Sequence, residues 1–309
     1  MNYLGLDIGG TAVKIGLIDP QGTVLCKDAF PAAFDGYKTP LMQTALQSME
    51  RFLKQHAIAP DALGGIGVSA TGQIDSRTGV VVGSAGHIDN WLGTPVKELL
   101  QKQYGLPVSV INDANSVALA EQWVGAAAGF SHVIVITVGT GVGGGVITDG
   151  RLLTGCGGLA GELGHFPIQA DGHACSCGNP GCYERYASTT ALVRMVRENY
   201  AALQLPFPAD QVDGKAIFAL AADGHAGICR LLDAWIGYVA AGLIGLTHIF
   251  NPERILVGGG VCRQKTLFIE PLRRKVLKGV MPRFGESLVL KAAALGNDAG
   301  MIGAVRGLI

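Results

Sequence analysis

The sequence predicts an α/β protein built from two similar lobes that face each other across a cleft. Each half of the chain opens with an apolar β-meander whose first turn is rich in glycine, over residues 3–25 and again over 132–153. Mixed helices and strands follow each meander. At 309 residues the chain is long enough for roughly two domains. Two such lobes would place both glycine turns at the cleft.

The first half is predicted as three strands followed by mixed α/β structure. Apolar runs at 3–8 and 13–18 flank the first glycine turn, and a third run begins at Thr23. A helix is predicted over about 39–56, because apolar residues recur on one face at Leu41, Ala45, Met49 and Leu53. The further predictions are strands at 65–69, 80–82 and 108–111, and helices at 94–104 and about 115–127.

The second half repeats this pattern. A strand at 132–138 leads into a glycine turn at 139–145, a strand at 146–147 and an Asp149-Gly150 hairpin. Helices are predicted through much of 187–250, then a strand at 254–257 and a last helix at about 298–308. We therefore expect a small lobe of residues 1–115 plus 296–309, and a large lobe of residues 116–295.

Composition and hydropathy argue against a nucleic-acid-binding, a secreted and a membrane-spanning protein. Lys+Arg and Asp+Glu both number 24, and this zero net charge argues against a nucleic-acid-binding surface. The first residues lack the basic and apolar regions of a signal peptide, so a cytoplasmic protein is expected. The apolar stretch 235–250 is too short and interrupted to span a bilayer, and is predicted as a buried helix.

The glycine turns predict a phosphate-binding site. Residues 139–144 match the dinucleotide pattern G-x-G-x-x-G, but the chain continues as a hairpin rather than as the helix that this fingerprint requires. The P-loop pattern is absent too. Successive N–H groups unshielded by Cβ atoms still form an anion-binding concavity. Asp7, two residues before the first turn, could hold hydrated Mg²⁺ or could cap the N–H groups of the turn.

Three ordered segments resemble the ROK family of sugar kinases, which shares the duplicated, actin-like, hexokinase-type (RNase H-like) ATPase fold. They are Asp7–Thr11, Ile136–Gly145 and Gly155–His165. Similarity continues at the cysteine cluster 175–182, at 256–260 and at 297–300. The resemblance implies an ATP:hexose 6-phosphotransferase that binds Mg·ATP between the glycine turns. The nucleotide and Mg²⁺ contacts that it implies are Asp7, Gly9, Gly10, Thr11, Gly139, Thr140, Gly141, Gly258 and Gly259.

One departure from the family pattern concerns a lysine. Many bacterial members have lysine directly after the Gly-Gly-Thr turn, where this chain has Ala12. Lys14 lies two residues on, hence on the same face of the strand. Whether Lys14 replaces the missing lysine in phosphate contact is left open.

Asp113 is the candidate general base. Phosphoryl transfer from ATP needs a carboxylate that accepts the proton of an in-line hydroxyl. The pair Asn112-Asp113 ends a predicted strand and begins a helix, where Asp113 could serve as this base or could only cap the helix. The resemblance favours the base. The sugar contacts that it implies are Gly72, Asn90, Asn112, Asp113, Glu162, His165 and Glu184, with Gln73 and the segment 86–91 close by.

Clustered cysteines predict a structural zinc site. His165, Cys175, Cys177 and Cys182 offer one nitrogen and three sulfurs, the donor set of a closed tetrahedral site on a loop at 165–184. His173 is the reserve ligand, and free thiols are the alternative. Glu162 and His165 are three residues apart and could share one helical face, and His165 could also be merely structural.

Several substrates and one other class of protein remain open. The sugar could be glucose, N-acetylmannosamine, N-acetylglucosamine, allose, fructose or a β-glucoside. A sugar-responsive repressor of the same family would carry a helix-turn-helix domain ahead of the first strand, which here begins at residue 3. We expect a sugar as the small-molecule partner, no nucleic acid or membrane partner, and a homodimer.

Overall fold

The structure, a computed structural model, describes residues 1–83 and 88–309. Runs of strands and runs of helices follow one another along the described chain. The strands are β1 (Asn2–Ile8), β2 (Ala12–Ile18), β3 (Val24–Pro31), β4 (Leu63–Ala70), β5 (Gln73–Asp75), β6 (Val80–Gly83), β7 (Val108–Asn112), β8 (Val133–Val138), β9 (Val142–Thr148), β10 (Arg151–Leu152), β11 (Arg254–Gly258) and β12 (Val289–Ala292). The α-helices are α1 (Leu41–Gln55), α2 (Val96–Tyr104), α3 (Asp113–Trp123), α4 (Glu184–Ala187), α5 (Thr189–Glu198), α6 (Tyr200–Leu203), α7 (Gly214–Ala222), α8 (Ala226–Phe250), α9 (Glu270–Gly279), α10 (Pro282–Gly285) and α11 (Ala299–Arg306).

Two five-stranded sheets have the same internal order, which confirms the predicted duplication. The first runs β3-β2-β1-β4-β7 and the second β10-β9-β8-β11-β12. In each, three antiparallel strands form the meander and two further strands run parallel to its first strand. The first turn of each meander joins antiparallel partners, Ile8 to Val13 and Val138 to Val142. The second glycine turn, between Val138 and Val142, therefore belongs to a hairpin, as expected. The dinucleotide-binding interpretation, which needs a helix after the turn, stays excluded.

Helices α3 and α11 connect the two sheets. Gly303 of α11 lies so close to α3 that a Cβ atom there would be 1.7 Å from the carbonyl oxygen of Ser116. On its other side α3 packs on β9, where a Cβ on Gly145 would lie 2.7 Å from the Cβ of Ala118. Helix α11 also packs against β1 and β4 of the first sheet. The division of the chain into two lobes, with the C-terminal helix in the first, stays a prediction.

The predicted buried faces are confirmed. Leu41, Ala45, Met49 and Leu53 of α1 are all buried against the first sheet. Helix α8 has the length and hydropathy of a membrane span. Its Trp235, Val239 and Leu243 are nevertheless completely buried in the core of the second half, as predicted for a core helix.

The structure corrects three boundaries. The second glycine turn covers only 139–141, because residues 142–148 already form β9 paired with β8. Glycines 143–145 thus lie in a strand, where the lack of a side chain at Gly143 and Gly145 lets α3 approach the sheet. Helix α3 begins at Asp113 and ends at Trp123, both earlier than predicted. Strand β12 was not predicted, since four residues carry little periodic signal.

Candidate active site

A cleft of about 1260 Å³ separates the two glycine turns and holds most of the predicted site. The predicted residues that line it are Asp7, Gly9, Gly72, Gln73, Asn112, Asp113, Gly139, Thr140, Gly141, Glu162, His165, Cys177, Glu184, Gly258 and Gly259. Three predicted contacts, Gly10, Thr11 and Asn90, lie outside this lining. Gly86 and His87 of the predicted sugar segment fall outside the described residues.

The first turn presents a carboxylate that is held from both sides. Asp7 lies in β1 between Lys14 of β2 and Ser69 of β4, its lateral neighbours in the sheet. Lys14 Nζ donates to Asp7 Oδ2 at 2.8 Å, and Ser69 Oγ donates to Asp7 Oδ1 at 2.8 Å. The described partners of Asp7 are thus side chains rather than the N–H groups of the turn. Asp7 and Lys14 both line the cleft.

The second turn is fixed by the start of α5. Gly139 N–H donates to Gly141 O at 3.0 Å, which closes the turn. Thr189 donates to Gly139 O through both its backbone N–H, at 2.8 Å, and its hydroxyl, at 2.7 Å. Thr190 Oγ1 donates to Thr140 O at 2.8 Å. These bonds hold the carbonyl groups of the turn on the side of α5.

Asn112, rather than Asp113, caps helix α3. Asn112 Oδ1 accepts from the N–H groups of Ala114 at 2.9 Å and Asn115 at 3.2 Å. Its Nδ2 donates to Gly72 O at 2.8 Å, so one amide hydrogen is left for a ligand. Asp113 is therefore not needed as the helix cap, because Asn112 already fills that role.

Asp113 lines the cleft, and the pKa of its carboxyl group is raised. Its Oδ1 accepts a single backbone bond, from Ala114 N–H at 2.8 Å. Desolvation of the enclosed carboxyl raises the pKa of Asp113 to about 6, and the negative charges of Asp7 and Glu162 act in the same direction. A carboxyl group with this pKa is suited to accept and release a proton near neutral pH.

Glu162, His165 and Glu184 also line the cleft. Residues 162–165 form a turn rather than the helical face that their spacing predicted, and Gly161 just before the turn and Gly164 within it favour this conformation. Glu162 Oε2 and His165 Nε2 still lie 4.0 Å apart. Glu184 begins α4, and its Oε2 accepts from Val142 N–H at 3.4 Å. Glu162 therefore lies beside the imidazole, and Glu184 contacts the first residue after the second glycine turn.

The four predicted zinc ligands form one cluster. One ligand atom from each of His165, Cys175, Cys177 and Cys182 lies within 4.8 Å of the others. His165 Nδ1 lies 3.5 Å from Cys175 Sγ, and Cys177 Sγ lies 3.4 Å from Cys182 Sγ. The reserve ligand, His173, is not part of this cluster and instead packs against Tyr186. Three sulfurs and one nitrogen at this spacing fit the donor set of a closed tetrahedral zinc site.

Sequence reasoning missed several residues that line the cleft, among them Thr137, Arg263, Asn297 and Glu121. Glu121 is completely buried. A signal for it exists in the sequence, because Glu121 follows Ala118 by three residues and Ala114 by seven. That spacing places a carboxylate on the buried face of α3.

Comparisons with known proteins agree with this geometry. A family model described as "ROK family" matches residues 3–306. The glucokinase of Thermotoga maritima is 34% identical over 310 residues, which cover 98% of this chain and 96% of that protein. A β-glucoside kinase of Listeria monocytogenes is 34% identical over 310 residues, covering 99% of this chain and 96% of that protein. The crystal structure of a ROK family glucokinase from Streptomyces griseus, in complex with glucose and AMPPNP, superposes with a TM-score of 0.80. Its identity is 32%, with 98% of both chains covered.

Proposed function

The chain belongs to the ROK family, and from this membership we propose that it is a sugar kinase that transfers the γ-phosphoryl group of ATP to the 6-hydroxyl group of a hexose. Glucose or a close relative is the proposed substrate. This proposal is supported by relatives of nearly equal length that are named glucokinase and β-glucoside kinase. Binding of a sugar and an ATP analogue to the Streptomyces griseus relative supports the same chemistry.

One observation carries the proposal. Asp113 lies in the same cleft as the two glycine turns, with its pKa raised to about 6 by desolvation and by its acidic neighbours. Transfer of a phosphoryl group needs little covalent chemistry from the protein, so position and charge decide the rate. The cleft contains Asp113 as a candidate base for the sugar hydroxyl group, and it contains the two glycine turns as candidate contacts for the phosphates.

In the proposed reaction Asp113 accepts the proton of the 6-hydroxyl group as this oxygen bonds to the γ-phosphorus. The bond between the γ-phosphorus and the oxygen that bridges it to the β-phosphate breaks at the same time. ADP leaves, and the sugar 6-phosphate remains. The sugar is oriented by hydrogen bonds to Glu162, Glu184, His165 Nε2 and the free amide hydrogen of Asn112. Closure of the two lobes would exclude water and so limit hydrolysis of ATP.

Asp7 and Lys14 are the proposed contacts for the phosphates and for Mg²⁺. Each oxygen of Asp7 accepts one hydrogen bond and keeps a further lone pair, which fits a water-mediated magnesium site. Mg²⁺ supplies neutralisation of phosphate charge when it is bound. Lys14 lines the cleft beside Asp7 and is the proposed substitute for the lysine that many relatives have at position 12.

Zinc is the proposed occupant of the Cys₃His cluster, where it would crosslink the loop 165–184. All four donors come from the protein, so the role is structural rather than catalytic. His165 connects the cluster with the sugar contacts, because its Nδ1 faces Cys175 and its Nε2 faces Glu162. The proposed location is the cytoplasm, where free thiols persist. A homodimer without nucleic acid or membrane partners is proposed as the working assembly.

The test is a coupled ADP-release assay over a sugar panel at fixed Mg·ATP. The panel holds glucose, mannose, fructose, allose, N-acetylglucosamine, N-acetylmannosamine and a β-glucoside. We expect sugar-dependent ADP release, highest with glucose or a close relative, and a product whose ³¹P resonance couples to the C6 protons. ADP release that no sugar stimulates would contradict the kinase proposal and favour a regulatory protein that binds sugar without phosphorylating it.

A further inference from the structure

We infer that Glu121 is a positioning residue for the nucleotide half of the cleft, an inference that rests on the proposed kinase function. Glu121 lies on α3 and is completely buried. The proposed reaction does not use it. Burial of a carboxylate is costly unless hydrogen bonds compensate for the lost hydration. The hydrogen bonds that compensate for the lost hydration of Glu121 therefore indicate its role.

Three backbone N–H groups donate to the Glu121 carboxylate. Oε1 accepts from Ala294 and Leu295, each at 2.8 Å, and Oε2 accepts from Ala126, also at 2.8 Å. The described residues include no ion-pair partner for Glu121. Its contacts are therefore with main-chain groups on two segments far apart in the sequence, and these contacts fix backbone positions.

One of these segments forms part of the cleft wall. Residues 293–298 lead from β12 in the second sheet to α11, which packs on the first sheet. Ala293, Gly296 and Asn297 line the cleft, and the buried Glu121 side chain borders it. A segment that passes from one half of the fold to the other has few strand or helix bonds of its own. The carboxylate of Glu121 supplies two of the bonds that hold it.

The same segment leads directly to Asp7. Gly300, near the start of α11, lies so close that a Cβ atom there would be 2.6 Å from Asp7 Cγ. At the other end, α3 begins with Asp113, eight residues before Glu121, a rise of about 12 Å along the helix. Glu121 thus connects the helix that carries the proposed base with the wall that packs against the proposed magnesium ligand.

The substitution Glu121→Gln tests this role, because it preserves size and removes the charge. An amide has one acceptor oxygen, so it can satisfy the Ala294–Leu295 pair or Ala126, but not both. We expect the dissociation constant of MgADP, measured by calorimetry without sugar, to rise by about tenfold, since hydrogen bonds to a charged acceptor are about twice as strong as neutral ones. The sugar KM should stay within twofold.

Glu253→Gln is the matched control. The Glu253 carboxylate also accepts two backbone N–H bonds, from Ser131 at 2.9 Å and His132 at 3.0 Å. These lie just before β8, at the end of that strand opposite the second glycine turn. Both variants should lower Tm, and only Glu121→Gln should weaken MgADP binding. An MgADP affinity within twofold of wild type, or an equal loss for nucleotide and sugar, would overturn the inference.

A second measurement covers the case in which Glu121→Gln fails to fold. In the wild-type protein, MgADP should slow amide hydrogen exchange over 293–298 more than over Ser131–His132. Equal slowing at both segments would overturn the positioning role. Failure of the proposed function would differ, because wild-type protein would then bind no MgADP at all.

Discussion

Lys14 Nζ lies 2.8 Å from Asp7 Oδ2 across the first hairpin, on the wall of the cleft. The two residues are direct cross-strand partners, so the pleat points both side chains to the same face of the sheet. The ammonium group is thereby held where the phosphates of ATP are proposed to bind. The pair gives this chain a cation near the turn although position 12 is alanine.

Replacement of Lys14 by methionine should weaken ATP binding selectively. The variant loses a charge-assisted hydrogen bond, worth about 1.5–3 kcal/mol, so the KM for ATP should rise at least about tenfold. The KM for the sugar should change little. Steady-state kinetics with each substrate varied in turn measures both, with Lys275→Met, a surface lysine paired with Asp233, as the control. A KM for ATP equal to that of wild type would show that Lys14 makes no phosphate contact.

Asp113→Asn should abolish transfer while ATP remains bound. A positioned general base contributes about 10²–10⁴-fold to the rate, and an amide cannot accept the proton. We expect kcat to fall by that factor and the MgADP dissociation constant to stay within about threefold. Asp213→Asn is the control, because Asp213 begins a helix outside the cleft and accepts from Ala216 N–H. Appreciable kcat in Asp113→Asn would remove the base from the mechanism.

The pH profile follows from the raised pKa of Asp113. The base form is the deprotonated carboxylate, so kcat/KM should fall tenfold per pH unit below about 6 and level off above it. Glu162 contributes to the raised pKa through its negative charge. In Glu162→Gln the acid limb should therefore move to lower pH, and the sugar KM should rise as well. An unchanged acid limb in this variant would contradict the assignment of the limb to Asp113.

The same raised pKa has a consequence for stability. A carboxyl whose pKa is higher in the folded state than its ordinary value of 3.8 destabilises the fold progressively as pH rises through about 4 to 6. Asp113→Asn should therefore raise the free energy of unfolding at pH 8, and the difference from wild type should shrink toward pH 4. Urea titrations at both pH values measure this. Destabilisation at pH 8 would mean that Asp113 serves the fold more than the reaction.

Removal of the metal should impair sugar binding more than nucleotide binding. The proposed zinc ligand His165 also faces Glu162. Loss of the contact between a metal ligand and its outer partner typically lowers metal affinity or activity by about 10–100-fold. We expect the chelated protein, checked by elemental analysis, to show a sugar KM raised by at least about tenfold and a nearly unchanged KM for ATP. Cys177→Ser should behave in the same way. An unchanged sugar KM in metal-free protein would separate the cluster from the sugar site.

Local signals predicted much of the fold. The Asp149-Gly150 hairpin is recovered with both residues at positive φ, and the glycine turns lie at the cleft as expected from the two meanders. The grouping of His165 with the three cysteines could be predicted because the four residues are close in sequence. Contacts distant in sequence escaped prediction. Strand β9 already begins at residue 142, and its Gly143 and Gly145 pack against α3, a contact between two elements that the local pattern of glycines does not reveal.

His165 presents one ring nitrogen to the cysteines and the other to Glu162, so a metal bound by the cysteine cluster and a sugar bound beside Glu162 would be thermodynamically linked. If metal tightens sugar binding by some factor, sugar must tighten metal retention by the same factor. In that case a high sugar concentration would hold the metal on the loop 165–184 more firmly, and removal of sugar would release it more readily.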